Sequence, residues 1–144
     1  HTDWPDTEST FLMREETVPV CAPALRSAHE LTRPGDLLDM PLLQLRTRPA
    51  AWQEWFSAAG LDVPAAGGMV FEEISTTAQA AVAGLGVALL PRFLIENELQ
   101  QGDLVVVLEQ PLETAFGYYL VTPRERAGYA PVLAFRNWLL RVIG

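Results

Sequence analysis

The sequence predicts an α/β layered fold with a largely parallel sheet, and three observations carry that expectation. Strand-like apolar runs alternate with helix-like segments along the whole chain. Glycines and prolines mark the boundaries between them. Finally, 49% apolar residues, with four Trp and six Phe among 144 residues, are enough to fill a core.

The strand runs are "TVPVCA", "PLLQLRT", "GMVFEE", "GVALLP", "DLVVVLE" and "GYYLVT". The helix segments between and after them are "PGDLLDM", "AAWQEWFSAAG", "STTAQAAVAG", "RFLIENELQQ" and "APVLAFRNWLLRVI". Gly60 stops the helix that carries Phe56 and Ala59. Gly84 and Gly86 close the alanine-rich helix, Gly102 closes "IENELQQ", and Pro131 fits the first turn of the last helix. The stretch 61–68, "LDVPAAGG", reads as a loop, and there is no internal repeat or low-complexity tract.

Composition excludes several functions. A net charge of −8 has the wrong sign for gripping phosphates or an anionic membrane. The single cysteine, Cys21, has no internal partner and reads as a buried thiol in a reducing compartment. No run approaches a membrane span and the start lacks a secretory pattern, so the expectation is a cytoplasmic protein without membrane contact.

A search for catalytic chemistry returns little. His1 and His29 lie at no metal-ligand spacing, so neither a metal site nor a Cys-His nucleophile is expected. The Gly-x-Gly of "GLGVALLP" follows a helix and precedes a strand, the reverse of a dinucleotide loop, and reads as turn chemistry. Glu72 and Glu73 are adjacent on a strand and so point to opposite faces, which leaves a solvated strand end. No catalytic residue and no cofactor is assigned.

What remains are polar groups at the C-terminal ends of strands, the edge where open α/β sheets bind ligands because helix N-termini meet a crevice there. "PLLQL" runs into Arg46, Thr47 and Arg48 before a helix bearing Trp52, Trp55 and Phe56. "MVFEE" runs into Ser75, Thr76 and Thr77 before the alanine helix. Each has a structural reading beside the ligand-binding one. Ser75 or Thr76 fits the N-cap of the helix. Ala78, Ala81, Val82 and Leu85 form one stripe that packs close to the sheet. Arg46 and Arg48 share a face opposite Thr47, with one of the two a solvated charge. Trp52, Trp55 and Phe56 read as core. Tyr118 and Tyr119 lie on opposite faces, so at most one faces a crevice.

In order and spacing, "EETVPVCAPAL", "PLLQLRTRPAAWQEWFSAAG", "AQAAVAGLGVALLPRFLIENELQQGDLVVVLEQPL", "GYYLVTP" and "LAFRNWLL" resemble the regulatory domain of LysR-type transcriptional regulators. The resemblance covers nearly the whole chain. Trp52, Trp55 and Trp138 resemble the branch containing regulators of the glycine cleavage operon and of inducible β-lactamase.

The resemblance implies a type 2 periplasmic-binding-protein-like fold of two lobes, with a small effector in the interlobe cleft. It implies DNA binding through an N-terminal winged helix-turn-helix that is missing here. On this mapping residues 1–16 are a remnant of lobe one, 17–116 are lobe two, and 117–144 return to a truncated lobe one. The effector-binding residues that carry over are Thr47, Arg48, Ser75, Thr76 and Tyr118, suited to a small polar or anionic molecule. The last helix, with Val132, Leu133, Phe135, Trp138, Leu139 and Val142 on one stripe, points to a homo-oligomer or to packing on lobe two. A transporter's solute-binding protein would share the fold and is the alternative.

Overall fold

Among the residues the structure describes, 7–64 and 68–123, the computed structural model has six strands and four α-helices. Their order is β1 (Thr7–Cys21), α1 (Pro23–Ala28), β2 (Leu42–Leu45), α2 (Ala51–Ala58), β3 (Val70–Phe71), α3 (Ile74–Val82), β4 (Val87–Pro91), α4 (Glu96–Gln101), β5 (Val105–Val106) and β6 (Leu112–Pro123). Short 3-10 helices occupy Pro34–Asp39 and Arg92–Ile95. The chain divides into two units, His1–Glu15 with Thr114–Gly144, and Glu16–Glu113. It passes from the first to the second within β1 and returns within β6.

In the unit Glu16–Glu113 the strands lie in the order β3-β2-β4-β1-β5. β2 pairs in parallel with β3, placing Gln44 opposite Val70, and with β4, placing Leu42 opposite Val87. These pairs are joined through α2 and α3, the crossovers that parallel neighbours need. β1 runs antiparallel to both β4 and β5. The sheet is therefore mixed rather than largely parallel, because β1 enters this unit from the other and is oriented by no crossover helix. α1, also absent from the expectation, is six residues long and buries none of them, so it leaves no apolar period to read.

Alternate residues of the central strands serve two cores. Leu42, Val87 and Leu89 pack with Cys21, Leu37, Trp52, Trp55 and Phe56 on one face. Leu43, Ala88 and Leu90 pack with Val18, Val20, Ala78, Ala80 and Ala81 on the other. β4 lies between two partners with a helix-bearing core on each face, which is why all five of its residues are buried and its sequence is continuously apolar. Cys21 is the buried thiol expected, and burial pushes its pKa up.

The Gly-Leu-Gly turn is structural, as read from the sequence. Gly84 adopts a left-handed φ of 84° just past the helix end. At Gly86 a Cβ would lie 2.4 Å from the Pro41 carbonyl oxygen, and only a glycine lets Val87 enter the sheet beside Pro41.

In the unit that holds Thr7–Glu15 and Thr114–Pro123, β6 pairs with β1. Phe11 and Tyr119 meet edge to face at 5.4 Å. Gly117 lies beneath that contact, where a Cβ would come within 3.1 Å of the Phe11 ring. The last helix read from the sequence, its apolar stripe and the self-association expected of it lie outside the described residues.

Candidate functional site

The site is best built from the two parallel strand ends. The Arg46 N–H still donates across the ladder to Phe71 O at 2.8 Å, and the Arg46 guanidinium pairs with the Glu72 carboxylate. The ends of β2 and β3 are thus pinned side by side, and the segments that follow both leave from one edge of the sheet. After β2, the Arg48 N–H donates to Leu45 O at 2.9 Å, closing a tight turn with Thr47 near its tip. Thr47 is exposed and Arg48 half-buried. Because β2 ends at Leu45, strand alternation does not extend to these residues, and the shared face expected of Arg46 and Arg48 does not exist. Arg46 is the solvated strand-end charge, held by Glu72.

After β3 the chain enters α3, where the expected cap is absent. The N-cap position is Glu73, with no side-chain capping bond, and Ser75 and Thr76 lie inside the first turn. The Thr76 and Thr77 hydroxyls instead donate back to Glu73 O, at 3.0 and 2.7 Å. A hydroxyl bonded to a preceding carbonyl leaves the helix's own N–H groups uncapped. The first helical bond runs from the Thr77 N–H to Glu73 O, so Ile74, Ser75 and Thr76 present N–H groups that the helix cannot satisfy, at its positive end. No acidic residue occupies that first turn. Among the described residues the hydroxyls of Ser75 and Thr47 have no hydrogen-bond partner.

The buried face of α3 also differs from the expected stripe. Thr77, Ala78, Ala80 and Ala81 are buried, whereas Val82 and Leu85 are 38% and 46% exposed. The helix is rotated so that its small residues meet Leu43, Ala88 and Leu90, since a face of alanines is what fits closest to the sheet. Ser75 lines a groove of about 340 Å³ with Ile74, Ala78, Gln79, Val82, Leu94, Ile95 and Glu98; Thr47, Arg48 and Thr76 do not line it.

Tyr118 belongs to the other unit. Its hydroxyl donates to Glu15 Oε2 at 3.2 Å, and the Thr114 hydroxyl donates to Glu15 Oε1 at 3.0 Å. Tyr119 is exposed and packs on Phe11, so the two tyrosines do take different sides. Glu15, 1% exposed, was not singled out from the sequence. In "MREET" it sits among charges and looks solvated. The available signal was that Thr114 and Tyr118, four apart, share one face of β6. Among the described residues no group of His, Cys, Asp and Glu is arranged to hold a metal. No helix among them is long and apolar enough to cross a membrane.

The model for the LysR substrate binding domain matches residues 1–144. The chain belongs to the LysR substrate-binding-domain family. It is 35% identical over 139 residues to the HTH-type transcriptional activator AmpR of Rhodobacter capsulatus, covering 94% of this chain and 46% of that protein. It is 31% identical over 140 residues to the glycine cleavage system transcriptional activator of Escherichia coli, with 96% and 46% covered. The chain thus spans about half the length of the curated relatives it matches. Among solved structures, the AmpR effector-binding domain of Citrobacter freundii superposes with a TM-score of 0.75 at 28% identity, covering 98% of this chain and 70% of that one. A Citrobacter freundii effector-binding domain carrying Thr-to-Val, Ser-to-Ala and Tyr-to-Phe substitutions gives 0.76 at 27%, covering 100% and 72%. These neighbours carry the periplasmic-binding-protein-like α/β fold that the LysR resemblance implied.

Proposed function

We propose that this LysR-family chain is the effector-binding domain of a transcriptional regulator, and that Thr47, Arg48, Ser75 and Thr76, together with Tyr118, hold a small polar or anionic effector. The observation that carries the reading is the match of all 144 residues to the family's substrate-binding domain. That the matching relatives are transcriptional regulators favours it over a transporter's solute-binding protein.

The local chemistry supports the residue assignment. An uncapped helix N-terminus with no acidic side chain in its first turn attracts anions. The hydroxyls of Ser75 and Thr47, without a hydrogen-bond partner among the described residues, stand at the same sheet edge, with Arg48 following Thr47 in its turn. In the triply substituted Citrobacter freundii domain each change removes a hydroxyl, and the altered serine and tyrosine stand as far apart in sequence as Ser75 and Tyr118. We further infer a cytoplasmic homo-oligomer whose DNA contacts are made by a winged helix-turn-helix outside these residues, since a net charge of −8 sets this chain itself against phosphate contact.

A thermal-shift screen of this chain against amino acids, dipeptides and sugar acids tests the proposal. A binder raises the melting temperature by mass action. The expected result is that Ser75→Ala and Thr47→Ala keep the ligand-free melting temperature but lose most of the ligand-induced rise. An undiminished rise in both variants removes the strand ends from the site.

A further inference from the structure

Within the unit Glu16–Glu113, one guanidinium joins the strand by which the chain enters to the segment by which it leaves. The sheet order β4-β1-β5 puts Arg92, which follows β4, and Glu109, which follows β5, on opposite sides of β1, where Glu16 lies. Arg92 Nε stands 3.5 Å from Glu16 Oε1, and an Nη of the same side chain donates to Glu109 Oε1 at 2.8 Å. Arg92 acts just past the pairing of β1 with β4. The last pair there is Thr17 with Pro91, because the chain then turns into the 3-10 helix Arg92–Ile95, and Glu16 lies one residue further along β1. On the other side of β1, the Val107 N–H donates to Pro19 O at 2.9 Å, and Pro19 has no N–H to give in return. From there to β6, three side chains hold the segment: Arg92 at Glu109, the Trp55 indole at Gln110 O at 2.9 Å, and the Thr17 hydroxyl at Leu112 O at 3.4 Å.

We propose that Arg92 is an ionic clamp on both strands by which the chain enters and leaves the unit Glu16–Glu113, and that its release loosens the exit segment at Val107–Gln110 without loosening the core of the unit. The proposal does not depend on which residues hold an effector. A guanidinium suits the task because it presents donors in more than one direction from a rigid plane, so two carboxylates are held at once; an ammonium is a single point charge. The three side chains are 33%, 44% and 71% exposed for Arg92, Glu16 and Glu109. Salt therefore reaches the clamp, and ionic strength sets how firmly it closes. Ion pairs this exposed add little to global stability, so their effect falls on local opening.

The test is amide hydrogen exchange by NMR on this chain, with no ligand. The Val107 and Gln110 N–H groups, bonded to Pro19 O and Leu108 O, report on the exit segment, and Ala88 and Leu90 of the buried strand β4 report on the core. Arg92→Ala is expected to speed exchange at Val107 and Gln110 by about threefold to tenfold, the scale of two partly exposed ion pairs, and to leave Ala88 and Leu90 unchanged. About 1 M sodium chloride should bring the native chain close to the Arg92→Ala rates and do little to that variant. Glu109→Gln should reproduce most of the effect and Glu16→Gln part of it; should Arg92→Ala fail to fold, these two exposed substitutions carry the comparison. Native-like rates at Val107 and Gln110 in Arg92→Ala, or in both glutamine variants, overturn the clamp. A native-like Glu16→Gln beside a fast Glu109→Gln overturns its hold on both strands. Equal acceleration at Ala88 and Leu90 overturns its local action, and native rates indifferent to salt overturn its ionic character.

Discussion

Two helices of similar length follow the two neighbouring parallel strands β2 and β3, and they solve the problem of covering a sheet in opposite ways. α2 buries Trp52, Trp55 and Phe56, whose rings meet one another at 5.1 to 5.7 Å. Two of these aromatics are also hydrogen-bonded: Trp52 Nε1 donates to Leu43 O at 3.0 Å and Trp55 Nε1 to Gln110 O at 2.9 Å. α3 buries Thr77, Ala78, Ala80 and Ala81, and its first turn stays open. A helix held by large aromatics stands away from its sheet, and its stability comes from volume filled and indole N–H groups satisfied. A helix of alanines lies close and gains little from any single side chain. Its value lies in where it puts its N-terminus, beside the end of β2, with the Ser75 hydroxyl and first-turn N–H groups that the helix does not use. One helix is anchorage and the other presents a surface.

Breaking the anchorage should have the largest effect. Trp52→Ala removes a side chain 1% exposed and leaves the Leu43 carbonyl without its indole donor; the expected loss is about 3–5 kcal/mol of unfolding free energy by chemical denaturation. A loss below about 1 kcal/mol would mean that the aromatic cluster is not the anchor.

The alanine helix should fail in the opposite direction, by excess volume. Ala81 is fully buried against the strand residues, so Ala81→Leu is expected to cost about 1–3 kcal/mol despite adding apolar surface and keeping helix propensity high. A neutral or stabilising Ala81→Leu would show that the close approach of α3 is not needed.

The same contrast explains what the sequence disclosed and what it withheld. Trp52, Trp55 and Phe56 were legible as core because large apolar residues at helical spacing have one economical place to go. β4 was legible for the same reason, and Gly86 as a turn residue. Details of α3 were not. An alanine face has no strong apolar period, so its rotation could not be fixed from sequence, and Val82 and Leu85 were assigned inward when both are exposed. The hydroxyls were harder still. Ser and Thr at the start of a helix suit capping, and only coordinates show that Thr76 and Thr77 bond back to Glu73 O. The candidate edge itself was readable, since parallel strands must end on the same side. Glu15 was not, because burial of a charge depends on partners 99 and 103 residues away.

The smallest expected effect on stability belongs to Ser75, whose hydroxyl we propose serves a ligand and not the fold. The direct measurement is the unfolding free energy of Ser75→Ala against the native chain, without ligand. Among the described residues the hydroxyl has no partner and the cap position belongs to Glu73, so the expected change is within about 0.5 kcal/mol, as at an ordinary surface position. A loss of about 1 kcal/mol or more, the cost of removing an N-cap, would contradict it and return Ser75 to a structural role.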